Sequence, residues 1–150
     1  MARALAARLG TLARDTDDDV EASAESTISD LFVLEGEARF RELERIAVRT
    51  ALAEHEGVLA LGGGAVLDDD TRRSLVGHNV VYLSVSISGA APRVGFNRDR
   101  PLLLGNPRAQ WVRLMEARRA LYEEVATLTV STDDKSVDDV VQEILERAAL

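Results

Sequence analysis

The chain has no cysteine in its 150 residues. That excludes a disulfide framework, thiol catalysis and cysteine-ligated metal. Histidine is almost as scarce, and His55 and His78 stand far apart with no ligand-like spacing. Only six residues are aromatic, which leaves the core to aliphatic side chains. Basic residues are the minority, 18 against 26 acidic, for a net charge of −8. This argues against nucleic acid or an anionic membrane as a partner. No apolar run approaches the ~18–20 residues of a membrane span. The opening MARALAARLG has no long apolar stretch of a secretory signal, so a cytoplasmic protein is the expectation. What is present is 46% hydrophobic and 29% charged residues, a folded rather than a disordered composition. The length suits one domain with a real core.

Helical and strand patterns alternate along the chain. Residues 2–9 read as a helix with Leu5 and Leu9 on one face, no N-cap residue, and Gly10 as its stop. A short strand over 11–14 runs into Asp15-Thr16-Asp17. Residues 18–34 read as two helical pieces, with Ser26 or Thr27 capping the second. A long helix over 37–54 precedes an apolar strand at Val58–Leu61 and then Gly62-Gly63-Gly64. A helix over 69–76 stops at Gly77. Asn79–Val85 is the strongest strand and reads as buried on both faces. A short helix over 86–94, a loop over about 96–107, a helix over 108–124, a strand over 125–131 and a helix over 137–149 follow. This alternation predicts an α/β sandwich of three layers around a parallel sheet. With no repeat or linker, residues 1–150 read as one domain.

Several residues break the apolar patterns in ways that suit chemistry. On the helix over 108–124, Arg118 falls in the middle of a stripe made by Trp111, Leu114, Met115, Leu121 and Tyr122. An inward guanidinium is costly unless paired or bound to an anion. An internal salt bridge and an anion-binding arginine both satisfy that condition. On the helix over 37–54, Glu44 lies within the apolar face and Arg41 on its edge. They can form a plain i,i+3 pair. Two inward arginines from different helices would also suit one carboxylate ligand. The three glycines give the backbone freedom for close approach at a strand's carboxyl end, where α/β proteins bind ligands. Asp15-x-Asp17 can serve a metal ion and a base, or simply open a helix with acidic residues, as Asp18 and Asp19 suggest. Arg98 and Arg100 in the loop could supply positive charge to a phosphate.

In order and spacing these motifs resemble shikimate kinase. They are Asp15-Thr16-Asp17, Phe40-Arg41-x-x-Glu44, Gly62-Gly63-Gly64-Ala65, Asn97-x-x-Arg100-Pro101-Leu102-Leu103 and Arg118-x-x-Leu121-Tyr122. The similarity runs from residue 3 to about 147. It implies a P-loop kinase fold and phosphorylation of the 3-hydroxyl of shikimate by ATP with Mg²⁺, in aromatic amino-acid biosynthesis. It implies that Asp17 holds the shikimate hydroxyls near the attacking oxygen and that Asp15 lies by the magnesium. Arg41 and Arg118 would clamp the shikimate carboxylate, with Glu44 orienting Arg41. Gly62, Gly63 and Gly64 would bring backbone amides to the ring. Arg100 would be the catalytic arginine of a lid over about 96–107, Arg93 would flank the adenine, and Lys135 would lie at its other side. A monomer is expected.

The sequence departs from the family where Gly-x-x-x-x-Gly-Lys-Ser/Thr should stand: no such motif occurs in it. Aligned on Asp15 and Asp17, Met1 falls just after that motif, and Arg3 matches a family arginine. The expectation is therefore a fold without its first, central strand, a Met1 that is internal to a longer natural protein, and no kinase activity from residues 1–150 alone. Ser26-Thr27-Ile28 and Val137 are smaller departures, where the family often has a glycine and a proline. Two other readings stay open: a kinase remnant that binds shikimate without catalysis, and a kinase for another small polyol such as gluconate.

Overall fold

The structure is a computed structural model that describes residues 1–86 and 107–148. The chain packs as two compact units, Met1–Ser74 and Leu75–Leu150. The lid expected over about 96–107, with Arg93 and Arg100, lies outside the described residues except for Pro107, which opens a helix. The short helix expected over 86–94 also lies outside them, Ser86 apart.

In the first unit, α1 (Ala2–Leu9) starts without a side-chain cap and stops at Gly10, whose φ of 68° is the left-handed conformation that ends helices. Leu5 and Ala6 are buried, whereas Leu9, expected on the inner face, is exposed in the helix's last turn. The strand β1 (Ala13–Asp15) pairs in parallel with β2 (Val58–Ala60), Ala13 opposite Val58 and Asp15 opposite Ala60. The next helix, α2 (Thr16–Ala24), begins directly at the end of β1. Its first residue, Thr16, is fully buried and donates its hydroxyl to the Ala60 carbonyl at 3.3 Å. That bond ties the strand-to-helix corner of β1 to the end of β2. Thr27 caps α3 (Ile28–Leu34), accepting from the Asp30 amide at 3.1 Å. Gly36, at φ 85°, then turns the chain into α4 (Glu37–Glu54).

The core of this unit forms where α2, α3 and α4 meet: Val20, Leu31, Phe40 and Ala47 are buried together, with Phe32 and Leu43 packed against them. The Phe32 and Phe40 rings lie 4.8 Å apart, so two of the few aromatics are used here. A 3₁₀ turn (Ala65–Leu67) and α5 (Asp69–Ser74) complete the unit. The latter ends before Gly77 rather than at it.

In the second unit, β3 (Val81–Ser84) pairs in parallel with β4 (Leu128–Ser131), Val81 opposite Leu128 and Ser84 opposite Ser131. All four β3 residues are only half-buried, in contrast to the burial on both faces that its apolar run predicted. The reason is that β3 has β4 as its one strand neighbour among the described residues. The helix α6 (Pro107–Val125) takes Val125 from the expected strand. Thr127 then continues the pairing with its side chain, its hydroxyl accepting from the Val80 amide at 2.9 Å. The rings of Tyr82 and Tyr122 stack at 4.9 Å. The last helix, α7 (Val137–Arg147), opens with a capping box between Ser136 and Asp139. Its Val140, Val141 and Ile144 are buried, as is Val130 of β4. The architecture is α/β with parallel strand pairs, as the alternation predicted.

Candidate functional site

At the end of β1 the chain must turn into a helix, and Asp15 performs that turn. It has extended backbone angles, and its Oδ1 accepts from the Asp17 amide at 3.1 Å. The paired acidic residues therefore have different placements: Asp15 ends the strand as an N-cap, and Asp17 sits in the first turn of α2. Their acidic neighbours divide as well. Asp19 is drawn into an ion pair with Arg14 at 2.8 Å, and Arg14 also meets Glu54 at 3.2 Å. That accounts for Asp19 as surface pairing. Asp17 instead faces the glycine loop after β2, where a Cβ placed on Gly62 would lie 2.9 Å from its Oδ1.

Burial raises the Asp17 carboxyl above the usual carboxylate range, and the charges of Asp15, Glu21 and Asp18 push it the same way, with Arg41 opposing. A half-buried carboxylate held in this state is a stronger base than an exposed one.

Three residues of α4 build the next part. Helical spacing puts Glu37, Arg41 and Glu44 on one side of the helix. Arg41 donates from Nη1 to Glu44 Oε2 at 2.6 Å. Glu44 is 3% exposed, so the inward carboxylate of the sequence pattern is indeed buried, and its partner is the arginine on the edge. From its other side the Arg41 guanidinium reaches Glu37 Oε1 at 3.4 Å through both Nε and Nη2. Its carbon stands 5.0 Å from the centre of the Phe40 ring, a cation–π placement.

The glycine loop shows why small residues stand there. A Cβ on Gly64 would lie 2.0 Å from Arg41 Nη1, and one on Gly62 would lie 2.9 Å from Glu44 Oε1. No side chain fits in either place without moving the charged groups. The loop therefore brings Asp17, Arg41, Glu44, Gly62 and Gly64 into one cluster, with Gly63 between the two glycines. Neither Thr16 nor Glu37 was singled out from the sequence. The i,i+4 spacing of Glu37 and Arg41 was the available signal for the second, and a buried hydroxyl leaves none for the first.

Asp15 also lines a hollow of about 270 Å³ with Arg3, Arg14, Asp18 and Asp19. No group of three or more His, Asp or Glu among the described residues could hold a metal alone. Magnesium beside phosphates needs only one or two carboxylates, the rest being phosphate and water oxygens. Asp15, exposed and with one oxygen held by the Asp17 amide, fits that lesser demand.

The other two described candidates belong to the second unit. Arg118 is half-buried on α6, as its place in the apolar stripe required. Lys135 lies between β4 and α7, and its ammonium pairs with Glu143, which also holds Arg147. Among the described residues no helix is long and apolar enough to cross a membrane.

Comparison with known proteins gives the family. A family profile described as Shikimate kinase matches residues 1–149. The shikimate kinase of Streptomyces coelicolor is 58% identical over 146 residues, 97% of this chain and 85% of that protein. That of Thermobifida fusca is 52% identical over 140 residues, 93% of this chain and 81% of that protein. Among solved structures, shikimate kinase from Acinetobacter baumannii in complex with shikimate superposes with a TM-score of 0.91 at 34% identity, covering 97% of this chain and 82% of that one. The enzyme from Aquifex aeolicus gives 0.82 at 26% identity, covering 97% of this chain and 85% of that one. The motif order read from the sequence, the Asp17–Arg41–Glu44–glycine cluster and the whole-chain match lead to one conclusion: this chain belongs to the shikimate kinase family.

Proposed function

We propose that the protein transfers the γ-phosphoryl group of ATP to the 3-hydroxyl of shikimate, giving 3-phosphoshikimate and ADP. The observation that carries this reading is Arg41. A buried carboxylate holds it at 2.6 Å, and it lies so close to Gly64 that no side chain fits between them. An arginine fixed in this way is preorganised for a planar carboxylate, the charged group of shikimate. Glu44 orients that arginine, and Gly62, Gly63 and Gly64 let the ring approach the backbone; the family resemblance gives Arg118 to the same carboxylate.

Asp17, raised by burial, holds the acceptor hydroxyl and takes its proton as the oxygen attacks phosphorus in line. Magnesium, when bound at Asp15, neutralises phosphate charge. By the family resemblance, Arg100 stabilises the transferring group. Arg93 and Lys135 flank the nucleotide. Residues 1–150 form one cytoplasmic domain that needs an upstream phosphate-binding segment for turnover, a monomer with no nucleic-acid or membrane partner, in keeping with the net charge of −8.

The test has two readouts. Calorimetric titration with shikimate should show binding that Arg41→Ala weakens. In a version that carries an upstream strand and Gly-x-x-x-x-Gly-Lys-Ser/Thr segment, Asp17→Asn should cut kcat by at least ~10²-fold in the phosphoryl-transfer assay with ATP and Mg²⁺, the scale for a positioned base. Normal turnover by that variant would remove Asp17 from the mechanism. Absence of shikimate binding by the unmodified protein would end the proposal.

A further inference from the structure

The Arg41 guanidinium has two edges, and the protein treats them differently. At one, Nη1 donates to Glu44 over 2.6 Å, and the Glu44 side chain is 4% exposed. Water cannot readily exchange with that carboxylate. At the other edge, Nε and Nη2 share a single oxygen, Glu37 Oε1, at 3.4 Å from each. The Glu37 side chain is 50% exposed. A charge-assisted N–H···O bond normally spans ~2.7–2.9 Å, and a carboxylate on an arginine fork makes two of them in parallel. The Nε–Nη2 edge is the fork best shaped for such a grip, and here a long, shared, solvent-facing contact occupies it.

We infer that Glu37 is a displaceable clasp on Arg41, an internal carboxylate that occupies the ligand's edge of the guanidinium and yields it to the carboxylate of the substrate. The inference rests on the shikimate reading above and specifies how that substrate is admitted. Glu44 stays in place during the exchange, and the Phe40 ring, 5.0 Å from the guanidinium carbon, keeps the arginine oriented when Glu37 leaves. A shikimate carboxylate would make two short bonds where Glu37 makes two long ones. A neutral polyol has no carboxylate to exchange and would leave the clasp closed. Glu37 would thus cost some affinity for the acid and leave the affinity for uncharged analogues as it is. A purely structural role is the competing account, since Glu37 lies in the first turn of α4, where a negative charge favours the helix dipole.

The two accounts predict opposite results for Glu37→Gln, which keeps the shape and removes the charge. The probes are shikimate and its uncharged methyl ester, titrated calorimetrically into the unmodified protein and the variant. An exposed i,i+4 pair shifts an equilibrium by about two-fold, and repulsion of the incoming carboxylate adds to this. Shikimate should therefore bind the variant about two- to five-fold more tightly, with the methyl ester unchanged. In an Arg41→Ala background the same substitution should have a smaller effect on shikimate, since only the repulsion between carboxylates remains; an undiminished effect would overturn the inference. Weaker shikimate binding by Glu37→Gln would show that Glu37 orients Arg41 and would overturn the inference. So would unchanged shikimate affinity, or an equal change for both probes. Failure of the unmodified protein to bind shikimate would instead refute the functional reading on which the clasp rests.

Discussion

Arg41 and Glu44, three residues apart on α4, meet at 2.6 Å with the glutamate side chain buried and the arginine side chain 23% exposed. An ion pair placed across the boundary of the core does two things. The buried half fixes direction, and the open half remains available. Under the proposed function, fold stability and ligand recognition are coupled at this pair.

Replacing Arg41 with alanine removes a cation from a buried carboxylate. Breaking a fully buried pair costs ~3–5 kcal/mol, and partial exposure of the arginine reduces that to about 2–3 kcal/mol. Arg41→Ala should lose this much stability in urea unfolding, and shikimate affinity should fall by about 2–3 kcal/mol as a charge-assisted bond is lost. Glu44→Gln, which keeps an acceptor, should cost less stability. Equal losses for the two variants would contradict the placement of the charge.

The glycine loop predicts a graded effect. Gly64→Ala puts a methyl group 2.0 Å from Arg41 Nη1. The arginine tip can swing away, so stability should change by no more than ~1–3 kcal/mol, but the Glu44 bond must break. Gly62→Ala meets Asp17 and Glu44 at 2.9 Å, a lesser conflict. The Kd for shikimate should therefore rise more for Gly64→Ala than for Gly62→Ala in calorimetric titration, and the reverse order would be inconsistent with this geometry.

The raised carboxyl of Asp17 gives a pH prediction. A folded-state pKa above the unfolded one means that the folded state binds the proton more tightly. Stability is therefore full below the ordinary carboxylate range and declines as pH rises through the folded-state pKa. Asp17→Asn removes that decline. The variant should melt higher than the unmodified protein at about pH 7, with the difference gone near pH 3, where both states of Asp17 are protonated. Thermal denaturation at the two pH values measures it.

The two candidates of the second unit should separate by ligand. Arg118→Ala should weaken shikimate by about 2–3 kcal/mol and leave ATP affinity unchanged. In a version that carries the upstream phosphate-binding segment, Lys135→Met should raise the KM for ATP and spare shikimate. Glu143 keeps Arg147 as a partner in that variant, so stability should stay within ~1 kcal/mol. Loss of shikimate affinity in Lys135→Met would refute the assignment of Lys135 to the nucleotide.

The sequence by itself determined what depends on local periodicity and chemical type. Helical spacing was enough to put Glu44 on the inner face of α4 and Arg118 within an apolar stripe, because an α-helix repeats every 3.6 residues whatever surrounds it. The caps at Gly10 and Thr27 were legible for the same reason, and three consecutive glycines announced a close approach. Element ends were less legible: Val125 joins the helix, and Thr127 extends the β3–β4 pairing with a hydroxyl.

Only the tertiary structure decided which atom meets which. Arg41, Asp17 and Gly62 lie far apart in the chain, and nothing in their spacing says that Gly64 passes against the guanidinium or that Gly62 passes between two carboxylates. The sequence likewise left Asp15-x-Asp17 open between a helix opening and a catalytic pair. In the fold Asp15 caps α2 and Asp17 is turned towards the glycine loop. The physical reason is that solvation and Coulomb energy depend on three-dimensional neighbours. Asp17 becomes a stronger base through burial and through charges brought near by folding, while Asp19, two residues on, is drawn to Arg14.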